Sequence, residues 1–428
     1  MSYLPTNITN ANLTVTSNEA SIMSKSALVY DKWPVNNTME RRSIGIIGAG
    51  IIGLSTAYAA AQQGGKRIRV SLYESAEVGH PQAASTDINR VFRHLHGPEP
   101  IMTVWAKEAS TLWNHLSIES GNTLLHRTGV LFLVHKGTDP SYTGYHVWPY
   151  SNAGDWVEDS IRILDDQKIP YRRLNSNQIA SEFPQFKNTV IEEAVIDEQA
   201  GFVEATTAIH SLLSLCLKAG VEYYPNTLVT RIDTNIKGCM IQFNDGTEVN
   251  KDAVVVAING WTSELIPLPS GTLTLSEQPV IYLSPVAESH ALRQGQLPVF
   301  ISLNTDCYGF PIHSGIMKIA NDNPYRIIKH PNQRQNPTQD YVNQVVHTVG
   351  GFIPALQSAK VAKYHVCFYD RSKDGNFILD SWDPDARIIF GCGMSGRAFK
   401  FGPVIGQRLA EFAVSGQKPH DINAFRIR

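Results

Sequence analysis

Hydrophobic and polar positions along the chain predict a βαβ unit near its start. Residues 44–47 form an apolar, β-prone run, residues 54–63 are small and compatible with a helix, and residues 67–73 predict a second strand. Much later, residues 253–258 form a continuous apolar run, which is typical of a buried parallel strand. A further apolar strand is predicted at 388–391. The pattern therefore predicts a parallel sheet assembled from distant parts of the chain.

The central part of the chain has a different periodicity. Short segments of alternating polarity predict an antiparallel sheet, at residues 278–283, 299–302, 308–311 and 316–319. Apolar residues at helical spacing predict helices at residues 101–125, 176–183, 206–219, 341–349 and 403–414. Together these elements place the protein in the α/β class, and a length of 428 residues suits two or three interleaved domains.

The turn between the first strand and the first helix has the spacing Gly-x-Gly-x-x-Gly. Gly48 permits the tight turn, Gly50 lets the backbone approach a pyrophosphate, and Gly53 lets the helix pack closely on the strand. The helix N-terminus then directs unpaired N–H groups at the phosphates. Glu74 ends the second strand about twenty residues further on, where a carboxylate accepts hydrogen bonds from ribose hydroxyls. We therefore predict a Rossmann-type dinucleotide-binding domain; the alternative is a glycine-rich turn in an unrelated α/β protein.

The predicted elements divide the chain into discontinuous domains. The dinucleotide-binding domain is expected to comprise residues 41–100, 200–265 and 360–428. A second, α+β domain with a mainly antiparallel sheet is expected to bind the substrate and to comprise residues 101–199 and 266–359. Residues 1–40 are polar and rich in Asn, Ser and Thr, so we expect an irregular extension there.

Composition and charge exclude several classes of partner. A formal charge of −2 predicts no attraction to nucleic acid or to an anionic membrane surface. No apolar run reaches the roughly 18 residues that span a bilayer, and neither a signal peptide nor a peroxisomal C-terminal signal is visible. Five cysteines without zinc-like spacing predict a reducing compartment and no metal site. We expect a cytoplasmic protein that is a monomer or a weak dimer.

A polar segment at residues 79–100 follows the βαβ unit. Its polarity argues against a core strand, and Arg90 and Arg93 stand one helical turn apart, so both guanidinium groups can face one side. The alternative is an ordinary solvated basic face. The position next to the nucleotide unit favours a functional role.

Three separated segments together resemble the monomeric sarcosine oxidase family of FAD-dependent amine oxidases, within the D-amino-acid-oxidase-like superfamily. This family also includes pipecolate and fructosyl-amino-acid oxidases. The first segment is the glycine unit with Glu74, followed by NRVFRH at 89–94. The second is YGFP at 308–311, followed by Lys318. The third contains VCFY at 366–369, FILD at 377–380 and GMSGRAFK at 393–400, and the similarity spans about residues 42–425.

The resemblance implies that FAD is the cofactor, usually joined through its 8α-methyl group to a cysteine thiolate. Cys367 occupies the position of that cysteine; the alternative is a small buried hydrophobic residue. The other positions that the resemblance assigns to the cofactor are Gly48, Gly50, Ile51, Ile52, Gly53, Glu74, Ser75, Ser85, Thr86, Arg90, Val229, Gly260, Met394, Ser395, Gly396, Phe399 and Lys400.

The same resemblance implies roles around the substrate. Lys318 matches a lysine that helps dioxygen accept electrons, although a strand lysine is ordinarily a solvated surface residue. Arg93 and Lys400 match the residues that hold the substrate carboxylate, which favours an amino acid over a simple amine. The resemblance also places Arg90 against the flavin ring, and Tyr308 and Tyr369 in the pocket; ordinary core packing is the alternative for the tyrosines.

The implied activity is oxidation of the C–N bond of an amino acid, in particular a secondary amine such as an N-alkyl or cyclic imino acid. The products would be an imine and hydrogen peroxide, with dioxygen as the second substrate. The alternatives are a flavin-dependent amine dehydrogenase, a biosynthetic tailoring oxidase for a larger amine, and a non-catalytic flavoprotein.

Several positions depart from the family pattern and make sarcosine itself a doubtful substrate. Arg397 replaces the usual histidine of the terminal glycine turn, and Asp322 replaces a histidine four residues after Lys318. The family normally has an acidic residue five positions after the second arginine, which is Arg93 here. In this chain that position is Pro98, and Glu99 follows one place further on. The sequence leaves open whether Arg397 binds a second acidic group or alters the flavin environment.

Overall fold

A computed structural model describes residues 42–137, 153–284 and 289–428. The predicted extension at residues 1–40 lies outside the described residues. Within those residues, the strands are β1 Arg42–Ile47, β2 Ile68–Tyr73, β3 Asn89–Phe92, β4 Leu125–His126, β5 Val130–His135, β6 Arg172–Asn175, β7 Ile191–Asp197, β8 Gly201–Glu204, β9 Glu222–Tyr224, β10 Val229–Asn235, β11 Gly238–Phe243, β12 Glu248–Lys251, β13 Ala253–Val256, β14 Leu273–Leu283, β15 Val299–Ser302, β16 Cys307–Gly309, β17 Met317–Asn321, β18 Arg326–Ile328, β19 Val361–Ser372, β20 Ile378–Ser381 and β21 Ile388–Cys392.

The α-helices of the described residues mostly follow the predicted segments. They are α1 Ile51–Gly64, α2 Pro100–Ser120, α3 Ala153–Gln167, α4 Ser176–Glu182, α5 Ala205–Lys218, α6 Gln339–Phe352 and α7 Gly402–Ser415. Helix α2 is shorter than predicted because Gly121 adopts a left-handed conformation with φ of 72° and ends it. No helix among the described residues is long and apolar enough to cross a membrane.

The βαβ unit lies in a six-stranded sheet with the order β20-β21-β13-β1-β2-β9. Strands β21, β13, β1, β2 and β9 pair in parallel, and β20 is antiparallel to β21. All four side chains of β13 are buried, as the continuous apolar run predicted. The strands come from three distant parts of the sequence, which confirms the prediction of a discontinuous Rossmann-type fold.

A nine-stranded sheet contains the segments that were predicted to alternate. Its main path is β18-β14-β17-β16-β15-β5-β7-β6, and all neighbours pair antiparallel except β15 and β5. Strand β19 also belongs here, because it pairs with β14 from Leu273↔Ser372 to Leu283↔Val361. The long pairing with β14 brings Cys367, which lies in the range 360–428 expected for the dinucleotide-binding domain, to this antiparallel sheet.

A small three-stranded sheet, ordered β3-β8-β4, corrects the prediction for residues 79–100. Arg90 lies in strand β3 and pairs with Val203, so it is not on a helix with Arg93. Arg90 and Arg93 of this segment reach a cavity, where buried partners replace water as their hydrogen-bonding groups. The polarity of residues 79–100 therefore led to a wrong prediction of their secondary structure. Both arginines, Arg90 and Arg93, nevertheless face the same cavity.

Candidate active site

A cavity of about 1030 Å³ is bounded by the glycine turn, strand β3, the nine-stranded sheet and the turn before α7. Most of the predicted site residues lie in its wall. They are Gly48, Gly50, Ile51, Ile52, Glu74, Ser75, Ser85, Arg90, Arg93, Val229, Tyr308, Lys318, Cys367, Tyr369, Met394, Ser395, Gly396, Arg397, Phe399 and Lys400. Three predicted cofactor residues, Gly53, Thr86 and Gly260, are not in this wall. The Thr86 hydroxyl donates to the carbonyl of His80 instead.

The glycine turn at the start of α1 is closely packed. Gly48 has φ of 96°, and a Cβ there would lie 2.6 Å from the carbonyl oxygen of Ala257. A Cβ on Gly53 would lie 1.7 Å from the carbonyl oxygen of Gly48. The absence of a side chain at Gly53 therefore allows the start of helix α1 to pack closely on the glycine turn. Helix α1 begins without a side-chain cap on Gly50, which leaves backbone N–H groups available to an anion.

Glu74 and Ser85 order the backbone around this turn. Glu74 accepts hydrogen bonds from the backbone N–H groups of Ala49, at 2.7 Å, and Ala76, at 3.2 Å, and from the Ser75 hydroxyl, at 3.0 Å. A carboxylate has about four acceptor positions, so one remains for a ribose hydroxyl. Ser85 Oγ accepts from the Ile51 N–H at 2.9 Å. The uncapped helix start and the remaining acceptor fit the pyrophosphate and ribose of a dinucleotide.

Cys367 has an environment unlike that of the other cysteines. Burial raises the pKa of its thiol, but Arg90, His365 and Lys318 outweigh burial and lower the pKa to about 6. The Arg90 guanidinium lies 3.5 Å from the sulfur. The other four thiols have pKa values raised by burial, to about 12 for Cys216 and Cys239, about 11 for Cys307 and well above the ordinary value for Cys392. Cys367 is therefore the cysteine that ionises near neutral pH.

Lys318 is buried in strand β17, with a side chain only 2% exposed. This excludes the alternative of a solvated surface lysine. Its ammonium donates to Asp87 Oδ2 at 2.5 Å and to the carbonyl of Asn89 at 2.8 Å, and it lies 4.7 Å from the centre of the Phe310 ring. Burial, followed by the charge of Arg90, lowers the pKa of Lys318 well below its ordinary value.

Two buried cations, Arg93 and Lys400, lie together in another part of the wall. Arg93 donates to the carbonyl of Leu95 at 3.0 Å, and Lys400 donates to the carbonyl of Arg397 at 2.9 Å. Burial and the charge of Arg397 lower the pKa of Arg93 to about 10. Burial and the charges of Arg93 and Arg397 lower the pKa of Lys400 well below its ordinary value. An anionic ligand at this place would offset the repulsion among these cations.

Arg397, left open by the sequence, pairs with an acid of this chain. Its guanidinium lies 2.5 Å from Glu99 and also donates to the carbonyl of Gly375 at 2.5 Å. Glu99 stands one place after the position at which the family pattern predicted an acid. The ion pair is about one quarter exposed on each side and lies in the cavity wall.

Two tyrosines line the cavity near Asp322. The Tyr369 hydroxyl donates to Asp322 Oδ1 at 3.1 Å. Burial and the nearby Asp322 carboxylate raise the pKa of Tyr308, and burial with Tyr308 and Asp322 raises that of Tyr369. Both phenols therefore stay neutral at physiological pH and can donate hydrogen bonds.

Two buried carboxylates of the site were missed by the sequence analysis. Asp370 accepts hydrogen bonds from the backbone N–H groups of Gly393, at 2.7 Å, and Met394, at 3.1 Å. These bonds hold the turn at residues 393–396 against strand β19. Burial raises the pKa of Asp370 to about 7. Asp87 accepts from Lys318 and Arg90. Asp370 follows Tyr369 directly and Asp87 lies three residues before Arg90, but no sequence pattern marks either acid as buried.

The chain has relatives along most of its length. A family described as FAD dependent oxidoreductase matches residues 43–412. N-methyl-L-tryptophan oxidase from Yersinia pestis (strain Pestoides F) is 27% identical over 388 residues, which cover 89% of this chain and 97% of that protein. L-proline dehydrogenase from P. horikoshii has a TM-score of 0.75 at 18% identity, over 90% of this chain and 97% of that one. Glycine oxidase from Geobacillus kaustophilus has a TM-score of 0.72 at 16% identity, over 91% and 98%.

At such identities the two structural matches show a shared fold. The family match spans all strands of the six-stranded sheet and the turn before α7. It confirms the assignment of FAD that the three sequence segments predicted. The chain belongs to the family of FAD-dependent oxidoreductases.

Proposed function

We propose that the protein is an oxidase that acts on the C–N bond of an amino acid, in particular a secondary amine such as an N-alkyl or cyclic imino acid. The products are an imine and hydrogen peroxide. The observation that supports this most directly is the pair of buried cations Arg93 and Lys400 in the same cavity as the glycine turn. The name of the relative N-methyl-L-tryptophan oxidase agrees with a secondary amine.

Arg93 and Lys400 bind the substrate carboxylate. In the described structure each donates a side-chain hydrogen bond to a backbone carbonyl and has further N–H groups left to donate. The Arg93 guanidinium can donate two parallel hydrogen bonds to a carboxylate, and the Lys400 ammonium adds a positive charge beside it, so a carboxylate suits this pair best. Two fixed contacts at one end of the substrate restrict how its amine and C–H bond can turn, and orientation of this kind lowers the barrier to reaction.

The cofactor is proposed to lie along the cavity from the glycine turn to Cys367. The uncapped start of α1 would hold the pyrophosphate, Glu74 the ribose, and the Asp370-supported turn at Met394 the flavin. FAD supplies the two-electron oxidation when bound. The ionised Cys367 is suited to a covalent thioether with the flavin, because the thiolate is the nucleophilic form of cysteine. The C–S bond would replace a C–H bond of the 8α-methyl group, and dioxygen would take up the two electrons released.

Lys318 is proposed to assist dioxygen. A buried ammonium at the cavity wall stabilises negative charge that develops on oxygen, and it needs no reorganisation because Asp87 and Asn89 already fix its position. Lys318→Met should therefore slow reoxidation of the flavin far more than its reduction by substrate. Equal slowing of both half-reactions would contradict this assignment.

The test uses two measurements on the purified protein. Acid precipitation separates the protein from free flavin. Yellow colour in the pellet supports the thioether, and yellow colour in the supernatant contradicts it. An oxygen electrode then compares N-methyl amino acids and cyclic imino acids with the matching amines that lack the carboxylate. Oxygen uptake that requires the carboxylate supports the proposal. Flavin that is bleached by an amino acid but stays reduced in air would favour a dehydrogenase.

A further inference from the structure

Asp87 is the centre of a buried network at the cavity wall. Its side chain has no exposed surface. Oδ2 accepts from the Lys318 ammonium at 2.5 Å and from the Arg90 guanidinium. Oδ1 accepts from the Tyr282 hydroxyl at 2.6 Å and from the Ile88 N–H at 2.6 Å. Both carboxylate oxygens are therefore satisfied, and two of the four donors are cations.

The network also fixes where the Lys318 ammonium lies. Lysine has three N–H donors, and Asp87 and Asn89 accept from two of them. One donor remains at the wall of the cavity that Lys318 lines. The backbone of Asp87 is itself anchored, because its carbonyl accepts from the hydroxyl of Thr206 at 2.7 Å and from the N–H of Thr206 at 3.1 Å.

We propose that Asp87 is a positioning residue that keeps Lys318 charged and in place, and thereby controls the oxygen-dependent half of the reaction. This rests on the proposed oxidase function. It goes beyond that function because Asp87 is not in the wall of the cavity and acts through Lys318.

The physical argument follows from burial and charge. Burial and the neighbouring Arg90 both favour loss of the Lys318 proton, whereas Cys367 disfavours it. The Asp87 carboxylate, in direct contact with Lys318, also opposes this loss, and an opposite charge at this distance shifts a pKa by about one to three units. Without it, two cations would be left together in a buried place. Lys318 would then lose its proton at a lower pH than in the wild type.

The experiment compares Asp87→Asn, Lys318→Met and the double variant with the wild-type holoenzyme. Bleaching by substrate without oxygen and reoxidation on mixing with oxygen are measured separately, from about pH 6 to about pH 9. The absorbance of the oxidised flavin is recorded over the same range without substrate, as a readout that does not depend on turnover. Glu277→Gln is the matched control, because Glu277 is 1% exposed, pairs with Arg326 at 2.5 Å and is not in the cavity wall.

We expect Asp87→Asn to slow reoxidation about tenfold for each pH unit above the new pKa of Lys318, and to recover as the pH falls. The flavin spectrum of this variant should change with the same midpoint. Bleaching should change less than about threefold, and the double variant should reoxidise no more slowly than Lys318→Met alone. Glu277→Gln should leave both half-reactions and the spectrum unchanged.

The proposal is overturned if Asp87→Asn slows reoxidation independently of pH, if its effect multiplies with that of Lys318→Met, or if Glu277→Gln gives the same loss. If Asp87→Asn does not fold with flavin, Asp87→Glu tests the proposal in its place. This variant keeps the negative charge, so its flavin reoxidation should show no new pH dependence. A new pH dependence of reoxidation in Asp87→Glu would contradict the proposal. Absence of oxygen uptake by the wild type would instead refute the proposed function, which separates the two failures.

Discussion

Ionisation of Cys367 should limit covalent attachment of the flavin. Burial raises the pKa of this thiol, but Arg90, His365 and Lys318 bring it from the ordinary value of 9.0 to about 6. At about pH 7 a thiol with a pKa near 6 is about nine-tenths ionised, whereas a thiol with an unshifted pKa is about one-hundredth ionised. The charge of Arg90 is the largest single influence that lowers the pKa of Cys367. Its removal should therefore raise the pKa of the thiol and lower the thiolate fraction at neutral pH, by about a hundredfold if the pKa returns to its ordinary value.

The assay follows incorporation of flavin with time. Wild type and Arg90→Met are produced with limiting riboflavin and incubated with FAD at a series of pH values, and the colour of the acid-precipitated pellet is measured. For wild type the rate should rise about tenfold per pH unit below about pH 6 and then level off. For Arg90→Met the same rise should occur at higher pH, because a higher pKa requires more alkaline conditions for the thiolate.

Two further variants make this prediction decisive. Cys367→Ser should leave all the flavin in the supernatant. Cys307→Ser should incorporate flavin like wild type, since Cys307 is equally buried but lies outside the cavity wall and has a pKa raised by burial to about 11. An unchanged pH profile in Arg90→Met, or a coloured pellet from Cys367→Ser, would refute the reasoning.

Three more predictions concern the substrate end, the glycine turn and the cofactor. Arg93→Met and Lys400→Met should each lower kcat/KM for an amino acid by about ten- to a hundredfold, as expected for the loss of a charged hydrogen bond. The same variants should barely change kcat/KM for an amine without a carboxylate. Equal losses for both substrates would contradict the carboxylate site. Gly53→Ala should lower the melting temperature severely, because its Cβ would lie 1.7 Å from a carbonyl oxygen. The control is Gly351→Ala in α6, where a Cβ would have no atom within 4 Å, and it should leave the melting temperature unchanged or raise it slightly. A flavin-free preparation should melt at lower temperature than the holoenzyme, and added FAD should restore the difference in a concentration-dependent way.

Periodic segments of the sequence predicted the fold well. Strand β13 and helix α1 follow from local patterns, a continuous apolar run in one case and a glycine turn before small residues in the other. Strand β3 was missed because Arg90, one of its polar residues, faces the cavity. Periodicity cannot distinguish a polar side chain that meets water from one that meets a buried partner, since that difference appears only after distant segments pack together.

The partners of the site residues were harder to predict than the residues themselves. Family resemblance pointed to Lys318 and Cys367, and both lie in the cavity wall. Asp87 was missed, because its contact with Lys318 joins residues 231 positions apart in the sequence. Asp370 was missed for a similar reason, since it supports a turn more than twenty residues away in the chain. A single sequence contains no local signal for such contacts.

The two groups of buried cations differ in what balances their charge, and this difference bears on the substrate. Lys318 and Arg90 share the Asp87 carboxylate in direct contact, so the protein balances part of their charge whether or not substrate is present. Among the described residues, the side-chain hydrogen-bond acceptors of Arg93 and Lys400 are backbone carbonyls. The acids that oppose their repulsion are Asp322 and Glu99, with Asp197 near Arg93, and these acids are themselves bonded to Tyr369, Arg397 and His94. A buried cation without a direct counter-ion is costly, and a bound carboxylate removes that cost. We therefore expect the substrate of this enzyme to supply the negative charge, which an amino acid does and a simple amine does not.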